Sequence, residues 1–199
     1  MPSTDRATLK LLRAQGVPLE ERDDDALMQL SRAGVMAAWE VLVRRHQGAL
    51  RGYCARVCGS ALGDEVAQEV LLAVWAERER YQAQGRFRAY LFLVAARRAR
   101  NALRSHKRAS ERGQAAVPVD FADPLQLDML LARERERRLF GLLEKLPEDQ
   151  RASLLLRYAA ELDYDEIALV VERPSATVRS RVFLGLKRLR QLLQGKELP

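Results

Sequence analysis

Between Glu79 and Glu111 the chain carries no carboxylate, and other residue types are scarce throughout: two cysteines, two histidines, aromatics at 6%. Each shortage closes off a class of protein. Cys54 and Cys58 are too few for a disulfide framework. With His46 they fall short of the four ligands a tetrahedral zinc site normally takes, so no metal is expected. They read as buried thiols in a reducing compartment. The histidines, His46 and His106, stand in unrelated contexts, and neither a nucleophile motif nor a glycine-rich phosphate loop occurs. No catalytic residue and no cofactor is expected. No apolar run approaches the length of a membrane span, and MPSTDRATLKLLRAQGVPLEERDDD lacks the apolar core of a signal peptide. The expectation is a cytoplasmic protein that is not an enzyme and does not insert in a membrane.

What is present is helical and basic. The 199 residues carry a formal charge of +7, which points to an anionic partner, nucleic acid first. From DDDALMQL onward the pattern is helical. Trp39, Leu42, Val43, His46, Leu50, Tyr53 and Val57 recur at steps of three and four, the mark of one apolar helix face. Gly59 and Ser60 break that helix. Val66, Val70, Leu71 and Val74 mark the next, which yields to the polar ERERYQAQGR. Phe87, Leu91, Val94, Ala95 and Ala102 form the inner face of a helix running to about Lys107. No window alternates with period two, so the fold class is all-α.

Composition divides the chain. Residues 1–23 read as an extension and 24–108 as a first helical domain. Residues 109–124, with Gly113, Pro118 and Pro124, read as a flexible linker. Residues 125–195 read as a second helical domain, with RERERR at 133–138 on its first helix. Within it, Asp163 with Glu166 predicts a capping box opening YDEIALVV. The turn ERPS follows, then a helix from Ser175 to about Leu193 with Val178, Val182, Leu186, Leu189 and Leu193 inward. Short helix, tight turn, longer basic helix: the reading is a helix-turn-helix.

Three features carry chemistry. At about 100° per residue, Arg97, Arg100, Arg104 and Lys107 fall on one stripe, opposite Leu91, Val94 and Ala95. The solvated faces of this chain mix both signs, as in RERERR. A stripe of one sign repels itself unless a polyanion lies against it. The stripe is therefore expected to face outward, uncapped by the protein's own acids. Nearby aromatics offer stacking surfaces to unpaired bases; Phe87 reads as packing, Tyr81 and Tyr90 as the better base contacts. At the start of the last helix, Ser175, Ala176, Thr177, Arg179, Ser180 and Arg181 are small, hydroxylated or basic, suited to close approach, phosphate binding and guanine reading in a major groove. Asp64, Glu65, Gln68 and Glu69 form an acidic ridge beside Leu72 and Trp75, either a solvated face or a surface for a basic partner helix.

These segments together resemble bacterial RNA polymerase sigma factors of the extracytoplasmic-function group. AWEVLVRRHQGALRGY, DEVAQEVLLAVW and GRFRAYLFLVAARRARNALRSHKR look like successive parts of the family's first domain, and LEKLPEDQRASLLLRYAAELDYDEIALVVERPSATVRSRVFLGLKRLRQLL like its second. The resemblance covers about 24–108 and 125–193, in family order and without a middle domain. It implies that Glu65, Gln68, Glu69 and Leu72 dock on the β′ clamp helices of core RNA polymerase. It implies a −10 set of Tyr81, Arg86, Tyr90, Arg97, Arg100, Asn101, Arg104 and Lys107. The second domain would dock on the β flap and place Ser175, Ala176, Thr177, Arg179, Ser180 and Arg181 in the −35 major groove of promoter DNA. An anti-sigma factor is among the partners the resemblance allows. A linker of about fifteen residues spans at most about 50 Å, more than one DNA turn of about 34 Å.

The chain departs from the family pattern at several positions. Ala96-Arg97 stands where Arg-Asn is common, and Tyr90 where Trp is usual. Glu161 and Glu172 replace turn glycines, and Pro174 a serine cap, so that Ser175 is a candidate cap. Two rivals stay in view. A stand-alone helix-turn-helix regulator would bind its DNA tightly without polymerase. An adaptor working through the acidic ridge would show nucleic acid affinity independent of salt, whereas phosphate contacts make it fall with salt.

Overall fold

The computed structural model describes residues 17–111 and 138–195, and those residues are helical without strands. The first group comprises α1 (Asp24–Arg32), α2 (Met36–Cys58), α3 (Ser60–Ala76) and α4 (Phe87–Glu111). Asp23 caps α1, its carboxylate accepting from the Ala26 amide at 2.7 Å. Gly59, at φ +85°, turns the chain between α2 and α3. Gly63 then lets the two helices close: a Cβ there would lie 2.5 Å from the Ala55 backbone. The shared core holds Leu27, Leu42, Leu50, Val66, Val70 and Phe92. Phe92 meets Tyr53 edge-on at 5.5 Å. Helix α4 reaches Glu111, into the stretch read as linker; the rest of that linker and most of RERERR lie outside the described residues.

Ahead of α1, the turn Leu19–Glu21 is tied to α2. Arg45 donates to the Arg22 carbonyl at 2.8 Å and to Asp24 at 2.8 Å. His46 Nε2 lies 2.6 Å from the other Asp24 oxygen. Burial pushes the Asp24 carboxyl up, but hydrogen bonds from His46 and Arg45 outweigh it and hold it below its ordinary 3.8. The stability this cluster contributes is thus present at neutral pH and lost only in acid below that value. The thiols are packed: burial pushes Cys54 up to about 12 and Cys58 up to about 11.

The second group comprises α5 (138–144), α6 (Glu148–Tyr158), α7 (Tyr164–Val171) and α8 (Ser175–Leu193). The capping box at Asp163 is present: its carboxylate accepts from the Asp165 and Glu166 amides, and Glu166 accepts from the Asp163 amide. Helix α8 begins at Ser175 after Pro174, but the Ser175 hydroxyl does not cap it and has no partner among the described residues. Its inward face differs from the sequence expectation. Val178, Val182 and Gly185 are buried, while Leu186 and Leu193 are 38% and 56% exposed. Each step of four residues drifts about 40° around a helix, so two such steps carry Leu186 off the seam. The step of three to Gly185 restores it. Glycine lets the helices approach closely there: an added Cβ would stand 2.9 Å from a Leu154 methyl, which would have to shift.

Glu161 and Glu172 adopt φ +57° and +52°, the left-handed turns in which the family pattern favours glycine. That conformation costs a non-glycine residue about 1–2 kcal/mol, against about 0.5–1 kcal/mol of extra chain entropy for glycine. Glu161→Gly is expected to raise the thermal midpoint by about 2–4 °C. Calorimetry checks this; a lowered midpoint refutes the strain.

The two groups meet along α4 and α7. The half-buried Arg88 donates to the Ala160 carbonyl at 2.9 Å and to the Glu161 carbonyl at 3.1 Å. These carbonyls follow the C-terminal end of α6, where a cation is favoured.

Candidate nucleic-acid interface

Helix α4 divides its circumference among several neighbours. Phe87, Leu91, Phe92, Ala95 and Ala99 are buried within the first group. Leu93 and Ala96 border the second group across a cavity of about 310 Å³ that Arg97, Arg100, Glu172 and Arg181 also line. Arg97, Arg98, Arg100, Asn101, Arg104 and Lys107 are exposed. Two of these basic groups have acidic company: Arg97 lies 3.3 Å from Glu172, and Arg98 lies 3.7 Å from Glu69 on α3. The stripe is therefore engaged at its Arg97 end, which corrects the expectation of a wholly uncapped flank. The Arg97–Glu172 partners are 62% and 72% exposed, so this bridge is worth at most about 1 kcal/mol.

Beside the N-terminal end of α4 lies a second cavity, of about 330 Å³. The exposed loop 82–86 supplies Gln82, Gln84 and Arg86; Tyr90 and Leu93 of α4 face them, and Leu169 of α7 closes the rim. Tyr90 is half-buried, its ring 5.1 Å from that of Tyr81. Burial, then the charge of Glu77, raises its hydroxyl pKa, so it stays a neutral phenol. Tyr81 is packed rather than presented. It is 6% exposed, stands edge-on to Phe87 and donates its hydroxyl to Asp25 at 2.7 Å. Burial and that acceptor raise its pKa strongly.

On α8, Ala176, Arg179 and Ser180 are exposed, whereas Ser175 and Thr177 are half-buried. Arg179 lies 5.3 Å over the Tyr164 ring, with Arg157 at 5.2 Å from the same ring. Stacking restrains the Arg179 guanidinium before any ligand arrives. Arg181 turns inward to Asp149 at 3.0 Å and serves the α6–α8 seam.

The ridge on α3 is outward. Asp64, Glu65, Gln68, Glu69 and Leu72 are exposed, Leu72 at 68%. Trp75 is half-buried, 5.4 Å from Trp39 and under the Arg78 guanidinium at 4.2 Å. Asp64 pairs with Arg51 at 3.0 Å. The structure thus sets the ridge on one helix and the stripe on another of the same four-helix group. It also brings in residues that sequence reading passed over. Asp25 and Arg88 carry no local signal, because their partners lie 56–62 and 72–73 residues away.

The chain is similar to known proteins in sequence and in fold. The family description Sigma-70 region 2 matches residues 42–109, and Sigma-70, region 4 matches residues 136–189. The ECF RNA polymerase sigma-E factor of Haemophilus influenzae is 27% identical over 190 residues, covering 90% of this chain and 98% of that protein. The factor of the same name from Escherichia coli K12 is 27% identical over 191 residues, covering 90% and 97%. Among solved structures, CnrH in complex with the cytosolic domain of CnrY superposes with a TM-score of 0.69 at 22% identity, covering 87% of this chain and 99% of that one. RpoE in complex with the anti-sigma factor NepR from Bartonella quintana gives 0.60 at 22% identity, covering 78% and 96%. These two likenesses establish the fold.

Proposed function

Because the chain belongs to the sigma-70 family of RNA polymerase sigma factors, in its extracytoplasmic-function group, we infer that it directs core RNA polymerase to particular promoters and helps open them at −10. The observation that carries the reading is α4: Arg100, Arg104 and Lys107 exposed along one flank, with a cavity beside Tyr90 at its start. Opening DNA costs on the order of 1.4 kcal/mol of stacking per base-pair step. A small protein offsets this by holding the released strand, bases against Tyr90 and phosphates along the stripe. Arg97 trades Glu172 for a phosphate when the strand arrives, and Asn101 and Arg86 border its path. Tyr81 contributes from within, by shaping the loop.

In this reading α8 enters the −35 major groove with Ala176, Arg179 and Ser180 foremost. Ser175 and Thr177 meet phosphate at its N-terminus, and Arg181 holds the helix in place. Glu65, Gln68, Glu69 and Leu72 dock on the β′ clamp helices, and the second domain on the β flap. Polymerase supplies the catalysis; this chain supplies address and strand capture, in the cytoplasm. Both solved neighbours carry a bound partner, an anti-sigma factor in the second. A protein that restrains this chain in the same way belongs with the reading.

Run-off transcription from a genomic fragment library, with core polymerase alone and with this protein added, tests the function. New start sites are expected only with the protein. DNA retained tightly without polymerase, and no transcript gained on adding it, would instead indicate a stand-alone regulator. Arg179→Ala is expected to change preference at one −35 position by about 1–3 kcal/mol, read by competition among substituted promoters. A uniform loss across sequences would reduce Arg179 to a phosphate contact.

A further inference from the structure

We propose that Asp25 is a positioning residue for −10 recognition: from α1 it holds the loop that walls the cavity beside Tyr90. The proposal rests on the promoter reading above and adds to it a residue on α1, a helix that reading does not place against DNA. Three donors converge on this one carboxylate. The Tyr81 hydroxyl donates at 2.7 Å and the Phe87 amide at 3.0 Å to Oδ1, while the Gly85 amide donates to Oδ2. The donors bracket the loop 82–86, whose own residues are all exposed. At the other end of α1, Arg32 donates to the Tyr81 carbonyl at 2.9 Å. The loop is thus tied at its base and its apex to a helix buried through Leu27, Met28 and Leu30.

Chemistry explains why an aspartate does this. Phe87 opens α4, and the first amides of a helix lack partners within it. The Asp25 carboxylate supplies one from a distance and opposes the positive end of the helix dipole. Gly85 sits at φ +69°, a turn that aims its amide away from the ordinary backbone course. Only an acceptor with two free oxygens and no hydrogens takes all three donors at once; an asparagine presents an N–H group to one of them. Side chains on a loop held this way meet a base without first ordering, which is how preorganisation raises affinity and selectivity. Gln82, Gln84 and Arg86 are the side chains so presented, opposite Tyr90.

The test uses the full-length protein with core polymerase and a promoter fragment selected from the genomic library. Its non-template −10 strand serves as a single-stranded probe, and single-base variants are made at −10 and −35. For Asp25→Asn the expected results are about tenfold weaker probe binding and loss of most discrimination at one or two −10 positions. Discrimination at −35 and affinity for core stay as in the wild type. Tyr81→Phe removes one donor without removing the ring, and is expected to lose part of the same −10 discrimination. Combined with Asp25→Asn it adds nothing further, since both act through one clasp. A merely structural role would lower −10 and −35 discrimination together, in step with the melting temperature, and that pattern overturns the proposal. Wild-type −10 discrimination in a folded Asp25→Asn overturns it too. If Asp25→Asn does not fold, unchanged −10 discrimination in Tyr81→Phe does so. A wild-type protein that gives core polymerase no −10 preference overturns the promoter reading itself, and the clasp with it.

Discussion

Reversing the charge of Arg100 and Arg104 together is expected to reduce open-complex formation by at least about a hundredfold while leaving polymerase binding intact. Each charge-assisted hydrogen bond to phosphate is worth about 1.5–3 kcal/mol, so losing two removes about 3–6 kcal/mol, and added repulsion removes more. The choice of residues follows from the structure. Arg97 already has Glu172 beside it and Arg98 has Glu69, so their replacement would mix effects on DNA with effects on the protein's own contacts. Arg100 and Arg104 are exposed on the same flank, and no acidic partner of either is seen among the described residues. Permanganate footprinting on duplex promoters, alongside core affinity measured separately, reads the result. The defect should shrink on a template already unpaired at −10 if part of the loss lies in opening. Undiminished transcription from Arg100→Glu/Arg104→Glu removes the stripe from the mechanism.

The second large effect is expected at the other surface. Glu69→Arg combined with Leu72→Arg should weaken binding to core polymerase by on the order of a hundredfold, since truncating or reversing groups at the centre of an interface costs about 2–5 kcal/mol. Leu72 is 68% exposed and the Glu69 side chain 49%, so the helix they sit on has little reason to unfold. Its buried face, Val66, Val70 and Val74, is untouched. The measurement is core affinity, with binding of the single-stranded −10 probe as the control for folding and for α4. Unaltered core affinity would assign the ridge to solvent, where Asp64 and Arg51 already show a surface ion pair.

These two experiments separate what the chain does with polymerase from what it does with DNA. The separation is possible because α3 and α4 offer different faces of one helical group. The basic stripe and the acidic ridge are opposite in sign and sit on neighbouring helices. Arg98, on α4 but off the stripe, lies 3.7 Å from Glu69, and both side chains are half-exposed. A surface pair of that kind yields readily to a stronger partner.

The sequence by itself determined the helices, most of their ends and the order of the two groups. Those signals are local: apolar steps of three and four residues, glycine at 59, Asp163 with Glu166. The helix from Ser175 to Leu193 and its capped predecessor were legible because stop and start chemistry lies within a few residues of each end. The basic stripe and the acidic ridge were legible for the same reason, as faces of single helices. Tertiary structure alone decided which exposed-looking residues are spoken for. Tyr81 reads as a base contact in sequence, yet its hydroxyl belongs to Asp25. Arg181 reads as a groove residue, yet it is held by Asp149, and Arg97 meets a glutamate 75 residues onward. Side-chain partners so distant are set by how packed helices bring their flanks together, and a period read along one helix carries no information about the flank that another helix will bring to it.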